Sequence, residues 1–129
     1  MGYRSEVSIT LQNADFDRLV SEAKAQSKEA VEYLKYAEFF RNDLFTTMCF
    51  DWIKWYEGEE GINFIESFIC DIPHAFYRIG EDNNDNDYSS NLDGLENFAI
   101  YDCVQFVRKL DVSGAGKQIR VDLNSDVGD

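Results

Sequence analysis

The sequence predicts a single α+β domain in which an antiparallel or mixed sheet carries two helices on one face. Three observations lead to this prediction. Hydrophobic residues make up 44% of the 129 residues, which is enough for one core. Apolar residues recur with a period of two near both ends of the chain and with helical spacing in two segments between them. Because only one proline interrupts the chain and no linker-like segment divides it, residues 1–129 are expected to form one domain.

The N-terminal part is expected to form a strand followed by a helix. From Tyr3 to Leu11 apolar and polar residues alternate, as in a half-buried strand. Asn13 occupies a typical N-cap position, and apolar residues then recur every three or four positions over 16–34. This pattern predicts one helix, or a broken pair of helices, that ends at about Tyr36.

The middle of the chain predicts two strands, a second helix and a further strand. Residues 39–40 mark a short strand, and residues 44–56 are rich in aromatic and β-branched side chains on both faces, as in a long or central strand. Residues 58–61 break that strand, and the isoleucine stripe over 62–69 predicts the second helix. Residues 75–79 predict the next short strand.

The C-terminal part is expected to contain a long loop and a hairpin. Residues 81–94 consist largely of Asp, Asn and Ser, which predicts a flexible acidic loop. Residues 98–110 and 118–123 predict the strands of a C-terminal hairpin, joined through a turn at 113–116 and followed by an acidic tail over 124–129. The whole order is typical of a split βαβ or ferredoxin-like core with an added hairpin.

The net charge of −13 is concentrated in the middle of the chain. Residues 51–102 contain 13 acidic and only two basic residues, a net charge of −11. Such a field repels phosphate groups, so direct binding of nucleic acid is not expected. The same field attracts basic protein surfaces, although an acidic surface that serves only solubility is the simpler interpretation.

The cysteines and the absence of long apolar runs in the sequence predict a cytoplasmic protein without a membrane partner. Cys49, Cys70 and Cys103 are odd in number, far apart and set among apolar residues, so they are expected to be reduced core residues. The N-terminal residues do not resemble a signal peptide, and no apolar run has the length of a membrane span.

The acidic loop also has the ligand spacing of a calcium-binding loop. The five oxygen-bearing positions of that template are Asp85, Asp87, Ser89, Asp93 and Glu96. Ser90 replaces the turn glycine, and strand-like segments flank the loop where an EF-hand requires helices. A solvated loop is therefore favoured over a metal site. A divalent-metal-binding module or weak metal-dependent hydrolase stays open as an alternative.

Other chemistry is not indicated by the sequence. The carboxylates occur without a lysine or histidine placed by a known motif, and the serines and cysteines lack nucleophile motifs. No enzymatic activity and no cofactor are therefore expected.

Three large aromatic residues lie close together at the end of the long strand. Alternation places Trp52 and Tyr56 on one face of the strand and Trp55 on the other. Because helices are expected on only one face of the sheet, at least one of these side chains should be partly exposed. Exposed aromatic residues beside carboxylates are common anchors at protein interfaces.

Three short segments resemble a group of small bacteriophage and prophage proteins that have no assigned activity. The segments are Gly2–Val7, Trp52–Tyr56 and Tyr77–Asp82. The resemblance implies a viral accessory protein that acts in the cytoplasm of a bacterial host. Small acidic phage proteins of several folds block host defence complexes, some by occupying a basic nucleic-acid channel, so this class is favoured by analogy.

Charge and resemblance together predict a phage-encoded inhibitor of a host nucleic-acid-handling defence complex, of the anti-CRISPR or anti-restriction type, that binds stoichiometrically and can mimic nucleic acid. The expected charge contacts with the partner are Glu57, Glu59, Glu60, Glu81, Asp82, Asp85 and Asp87. The expected aromatic anchor is Trp55 or Tyr88. Besides the metal-binding alternative, a structural phage protein that dimerises through its aromatic residues stays open.

Overall fold

The chain folds into helices and strands. They are seen in a computed structural model that describes residues 4–56, 58–82, 85–91, 100, 103–106 and 110–123. The helices are α1 (Asn13–Gln26), α2 (Lys28–Leu34) and α3 (Glu60–Ile69). The strands are β1 (Ser5–Gln12), β2 (Ala37–Arg41), β3 (Phe45–Ile53), β4 (His74–Gly80), β5 (Asn86–Asn91), β6 (Gln105–Phe106), β7 (Leu110–Asp111) and β8 (Lys117–Ile119). The predicted α+β class is confirmed, with three helices rather than two because the first helical segment breaks at Ser27.

Six of these strands form one antiparallel sheet in the order β5-β4-β1-β3-β2-β8. The hairpin predicted from residues 98–110 and 118–123 is not formed in the described part of the chain. Instead, β8 pairs with β2, and β6 pairs with β7 as a separate two-stranded unit. Pairing with β8 satisfies backbone groups that β2 would otherwise expose along the sheet edge.

All three helices cover the same face of the sheet. Their buried residues pack on Val7, Ile9 and Leu11 of the central strand β1 and on side chains of β2, β3 and β4. The rings of Phe16 in α1 and Phe39 in β2 meet edge to face, with 5.5 Å between their centroids. None of the described helices has the length and apolar character needed to cross a membrane.

The C-terminal segment covers part of the opposite face of the sheet. This second cluster of buried side chains consists of Phe45, Ala75, Tyr77, Ile100, Cys103, Val104, Leu110 and Ala115. The buried hydroxyls of Thr10 and Thr47 hydrogen-bond to each other at 2.9 Å. Cover on both faces explains why β3 is apolar on both sides, as its sequence indicated.

Residues 86–91 form a strand where the composition predicted a flexible loop over 81–94. The prediction is wrong for these six residues, which pair with β4 along their whole length. Their side chains are mostly exposed, so the strand carries no hydrophobic pattern and is held by backbone hydrogen bonds to β4. Residues 83–84 and 92–94, like the predicted tail at 124–129, lie outside the described residues.

The three cysteines form no disulfide, and they lie in different environments. Cys103 is buried and Cys49 is half-buried, whereas Cys70 is exposed. Cys70 is the C-cap of α3, and its thiol donates to the Ser67 carbonyl at 3.2 Å in an exposed position. The predicted core position is thus wrong for Cys70.

Hydrogen bonds join the first turns of α2 and α3. The Ser27 hydroxyl accepts a hydrogen bond from the Ala30 N–H at 3.1 Å and donates one to the Glu60 carboxylate at 2.6 Å. In return, the Glu29 carboxylate accepts a hydrogen bond from the Gly61 N–H at 2.6 Å. Each helix N-terminus, with its partial positive charge, therefore meets a carboxylate from the other helix. This contact fixes α2 beside the end of β3.

Candidate partner-binding site

One end of the sheet gathers residues from five separate parts of the chain. Strands β1, β2 and β5 begin at this end, and β3 and β4 finish there. Residues next to these strand ends are therefore neighbours across the sheet. In spatial order they are Tyr36, Trp52, Arg4, Glu81 and Asp85. We call this row, together with the neighbouring carboxylates of Asp51, Glu59 and Asp82, the acidic end.

A β-bulge turns Trp52 out of the core at this end. Between paired positions, β3 has two residues from Phe50 to Ile53 where β1 has only one. Trp52 has a φ of 51° in the bulge, a backbone conformation that residues other than glycine rarely adopt. Because the bulge shifts the alternation by one position, Ile53 and Trp55 enter the core and Trp52 is 50% exposed.

Trp55 is part of the core and is not a surface anchor. Its ring lies 5.3 Å from that of Phe50 and 6.1 Å from that of Phe76, and its indole N–H donates to Glu66 at 3.3 Å. Only 8% of the Trp55 surface is exposed, so the prediction of Trp55 as an anchor is wrong. The broader expectation of an exposed aromatic residue in this segment is confirmed by Trp52 and Tyr56.

An open groove of about 540 Å³ runs beside Trp52 at the acidic end. Its aromatic lining consists of Trp52, Tyr33 of α2 and Tyr36, which follows α2. Tyr36 is 75% exposed, so most of its surface is open to solvent. We call this feature the aromatic groove. Its volume lies in the range of about 300–1,000 Å³ that is typical of binding pockets.

Acidic side chains outnumber basic ones in the aromatic groove. Glu29, Glu32 and Asp51 line it together with Arg4 and Lys54. The formal charges of the lining residues therefore sum to −1, with two cations among them. A partner surface with dispersed positive charge fits this pattern better than a phosphate backbone.

Glu59 adds to the negative field around the groove. This exposed residue is the N-cap of α3, and its carboxylate lies near the phenol of Tyr33. Burial raises the pKa of Tyr33, and the charges of Glu59 and Glu29 raise it further. Glu59, predicted as a partner contact, thus lies beside the aromatic groove.

Arg4 connects the groove to Glu81. Its guanidinium donates a hydrogen bond to the Trp52 carbonyl at 3.0 Å. Its backbone N–H donates to the Glu81 carboxylate at 2.7 Å. Glu81 and Trp52, which are far apart in sequence, therefore lie on either side of one arginine.

Besides Glu81, the predicted charge contacts Glu60, Asp85 and Asp87 have partners within the chain. Glu60 accepts the hydrogen bond from Ser27, while Asp85 and Asp87 accept hydrogen bonds from Arg78 at 2.5 and 2.7 Å. The Arg78 side chain is only 14% exposed, and the hydrogen bond to Asp85 raises its pKa above the ordinary arginine value despite partial burial. Arg78 stays charged and offsets part of the negative charge on β5.

The remaining predicted contacts are divided between two faces of the sheet. Asp82 is exposed in the turn after β4, close to Glu81 at the acidic end. Tyr88 is 48% exposed, and its ring lies 5.1 Å from that of Tyr77, which belongs to the cluster on the face without helices. Tyr88 therefore lies on a different face from the aromatic groove. Glu57 lies outside the described residues.

The calcium-loop positions do not form a metal site in the described part of the chain. There, no group of three acidic, His or Cys side chains is placed to hold a metal ion. The Arg78 guanidinium bonds both Asp85 and Asp87, and Ser89 contacts His74 at 3.4 Å. The other two positions, Asp93 and Glu96, lie outside the described residues.

Comparisons with known protein families, curated proteins and solved structures found no match for this chain. The candidate site is therefore described only by the contacts, exposure and charges of its own residues. Sequence reasoning missed Arg4, Tyr36, Asp51 and Trp52 as members of it. The bulge that exposes Trp52 becomes visible in the register between β1 and β3, and helical periodicity identifies Tyr36 only as the end of a helix.

Proposed function

We propose that this protein is a phage-encoded, stoichiometric inhibitor of a host nucleic-acid-handling defence complex, and that its acidic end occupies a basic surface of that complex. The observation that carries the proposal is the convergence, at one end of the sheet, of the exposed aromatic side chains Tyr36 and Trp52 with the exposed carboxylates Asp51, Glu59 and Glu81. On such surfaces, aromatic side chains act as anchors that become buried when the partner binds. The carboxylates steer and orient a basic partner.

The three segments that resemble phage proteins also support the proposal. Segment Gly2–Val7 contributes Arg4, Trp52–Tyr56 contributes Trp52 and Lys54, and Tyr77–Asp82 contributes Glu81 and Asp82. All three segments thus reach the acidic end, although they are distant in sequence. The antiparallel pairing of β1 with β3 and with β4 brings the segments together, as a shared binding surface would require.

Inhibition follows from competition. A basic channel that binds nucleic acid presents arginine and lysine side chains, which pair with phosphates. Carboxylates of the acidic end, among them Asp51, Glu59 and Glu81, would pair with the same side chains. Because the attraction is largely electrostatic, binding should weaken as salt is raised.

Affinity capture from a bacterial host lysate tests the proposal. The immobilised protein should recover a nucleic-acid-binding complex, and added duplex DNA or RNA should release that complex. The decisive variant is Asp51→Lys/Glu59→Lys. Its matched control, Asp43→Lys/Asp71→Lys, changes the net charge equally at exposed positions near the opposite end of the sheet.

We expect the variant at the acidic end to lose capture and the control variant to keep it. Equal losses in both variants would show that only the total charge matters. Recovery of a complex that nucleic acid does not displace would also contradict the proposal.

We also assign the core to the split βαβ arrangement. The four central strands follow the order β4-β1-β3-β2, with helices between β1 and β2 and between β3 and β4. This order supports a ferredoxin-like core to which β5 and β8 add one strand at each edge.

A further inference from the structure

We infer that the aromatic groove binds one arginine side chain of the partner, stacked against Tyr36 and Trp52 and paired with Asp51. This inference rests on the proposed function, because it names the group that the acidic end recognises. The occupant is an arginine in an exposed segment, flanked by residues without positive charge.

The aromatic surfaces of the groove are the first reason. Tyr36 and Trp52 are among the most exposed large hydrophobic residues of the described chain, and both line the same groove. A planar guanidinium stacks on aromatic faces and is less strongly hydrated than an ammonium group. Arginine therefore gains more than lysine from such a surface.

The second reason is the position of a carboxylate beside these rings. Glu29 is hydrogen-bonded to Gly61, and Glu32 forms an ion pair with Lys35. Asp51, by contrast, has neither a hydrogen bond nor an ion pair within the described residues, and it is exposed. A guanidinium in the groove would supply the N–H donors that Asp51 lacks.

The cations of the groove restrict the occupant further. Arg4 and Lys54 line the same groove, so a second positive charge in the bound segment would meet repulsion. A single arginine between uncharged residues avoids this repulsion, whereas a run of basic residues does not. Selectivity for one isolated arginine follows.

Trp52 is held in place before binding. The bulge fixes its backbone, Arg4 bonds its carbonyl, and the next residue, Ile53, is buried. An anchor that is already ordered loses less conformational entropy on binding. The groove therefore needs little rearrangement to accept a guanidinium.

Nuclear magnetic resonance titration of the labelled full-length protein tests the inference. The probes are three synthetic peptides with the sequence Gly-Ser-X-Ser-Gly, in which X is arginine, lysine or citrulline. The indole N–H signal of Trp52 reports on the groove, and the signal of the buried Trp55 is an internal reference. We expect a saturable shift of the Trp52 signal with arginine, weaker binding of lysine and no binding of uncharged citrulline.

Two variants sharpen the test. Tyr36→Ala keeps the net charge and should weaken binding of the arginine peptide by about fivefold, the scale of one exposed cation–π contact. Leu44→Ala removes a similarly exposed apolar side chain at the opposite end of the sheet and should leave the affinity unchanged. Equal affinity for arginine and citrulline, no saturable shift, or equal losses in both variants would overturn the inference.

The inference and the proposed function fail in different ways. If the arginine peptide does not bind but the protein still captures a complex that nucleic acid displaces, only the inference that the aromatic groove binds arginine is wrong. If the arginine peptide binds and no such complex is recovered, the aromatic groove does bind arginine, but the proposed class of partner is wrong.

Discussion

Ser27 and Glu60 join the first turns of two helices, with the Ser27 hydroxyl 2.6 Å from one oxygen of the Glu60 carboxylate. The same hydroxyl accepts a hydrogen bond from the Ala30 N–H, so one side chain caps α2 and also contacts the start of α3. Because α2 carries Tyr33 into the aromatic groove, this small contact contributes to the shape of the candidate site.

Replacing Ser27 by alanine should lower the free energy of unfolding by about 1–2 kcal/mol, because it removes the N-cap of α2 and a partner of Glu60. A double-mutant cycle with Glu60→Ala should give a coupling energy of about 0.5–1 kcal/mol or more. Urea unfolding measures both values. Glu22→Ala, which removes an exposed pair with Arg18, is the control and should cost no more than about 0.5 kcal/mol. Strict additivity of Ser27→Ala and Glu60→Ala would contradict the contact.

Gly61→Ala should be destabilising although alanine is the better helix former. A Cβ atom at this position would lie 2.7 Å from the backbone carbon of Glu29 and 2.8 Å from the Ala30 nitrogen, so α2 and α3 would have to move apart. We expect a loss of about 1–3 kcal/mol in thermal or urea unfolding. The control Ser67→Ala lies on the exposed side of α3 and should be neutral or slightly stabilising. A gain in stability for Gly61→Ala would show that the helices do not pack this closely.

Trp52→Gly should be more stable than Trp52→Ala by about 1 kcal/mol, because glycine adopts a positive φ without steric cost. At the neighbouring Asp51, which has no positive φ, the order should reverse and alanine should be the more stable replacement. Unfolding of the four variants in parallel tests the bulge. The same order of stability at both positions would exclude it. Both Trp52 variants should lose binding at the groove, which separates backbone strain from recognition.

Cys49 should resist alkylation at pH 8 while Cys70 reacts. Burial, with the charges of Glu38 and Glu6, raises the pKa of the Cys49 thiol from 9.0 to about 12, whereas Cys70 is exposed. Mass spectrometry of the native protein after brief iodoacetamide treatment should find label on Cys70 first, and Cys70→Ser should abolish this fast phase. Rapid labelling of Cys49 at pH 8 would contradict the buried environment.

The same shift predicts a pH dependence of stability. The folded state keeps the Cys49 proton that the unfolded chain releases, so the contribution is complete below about pH 9 and is lost as the pH rises toward 12. Cys49→Ala should therefore flatten the fall in unfolding free energy over this alkaline range. An unchanged slope in Cys49→Ala would assign the fall to other groups.

Much of the fold follows from periodicity, and the departures have physical causes. The core stripe of α3 and the alternation in β1 are strong local signals, and both elements lie close to their predicted positions. Strand β5 was missed because an exposed edge strand is held by backbone pairing, which leaves no mark in its Asn, Asp and Ser side chains. For β8 the strand is predicted but its partner is not, because β2 lies far away in sequence.

The sequence predicts the acidic and aromatic character of the candidate site, but it does not predict which residues form the site. The excess of acidic residues in 51–102 indicated the charge, and the exposure of an aromatic residue near Trp52 was expected. The sequence predicts Trp55 or Tyr88 as the anchor, and alternation alone does not reveal the bulge between Phe50 and Ile53 that exposes Trp52 instead of Trp55. Likewise, no local pattern indicated that Asp85 and Asp87 would be engaged by Arg78.

The gathering of five strand ends has a practical consequence for mapping the interaction. Tyr36, Trp52, Arg4 and Glu81 become neighbours only when the sheet is assembled, so no short fragment of the chain contains the surface. Scanning arrays of overlapping peptides would therefore miss it, and mild denaturation would abolish recognition without breaking any covalent bond. Retained binding can then serve as an assay for intact folding in the variants whose substitutions lie away from the acidic end.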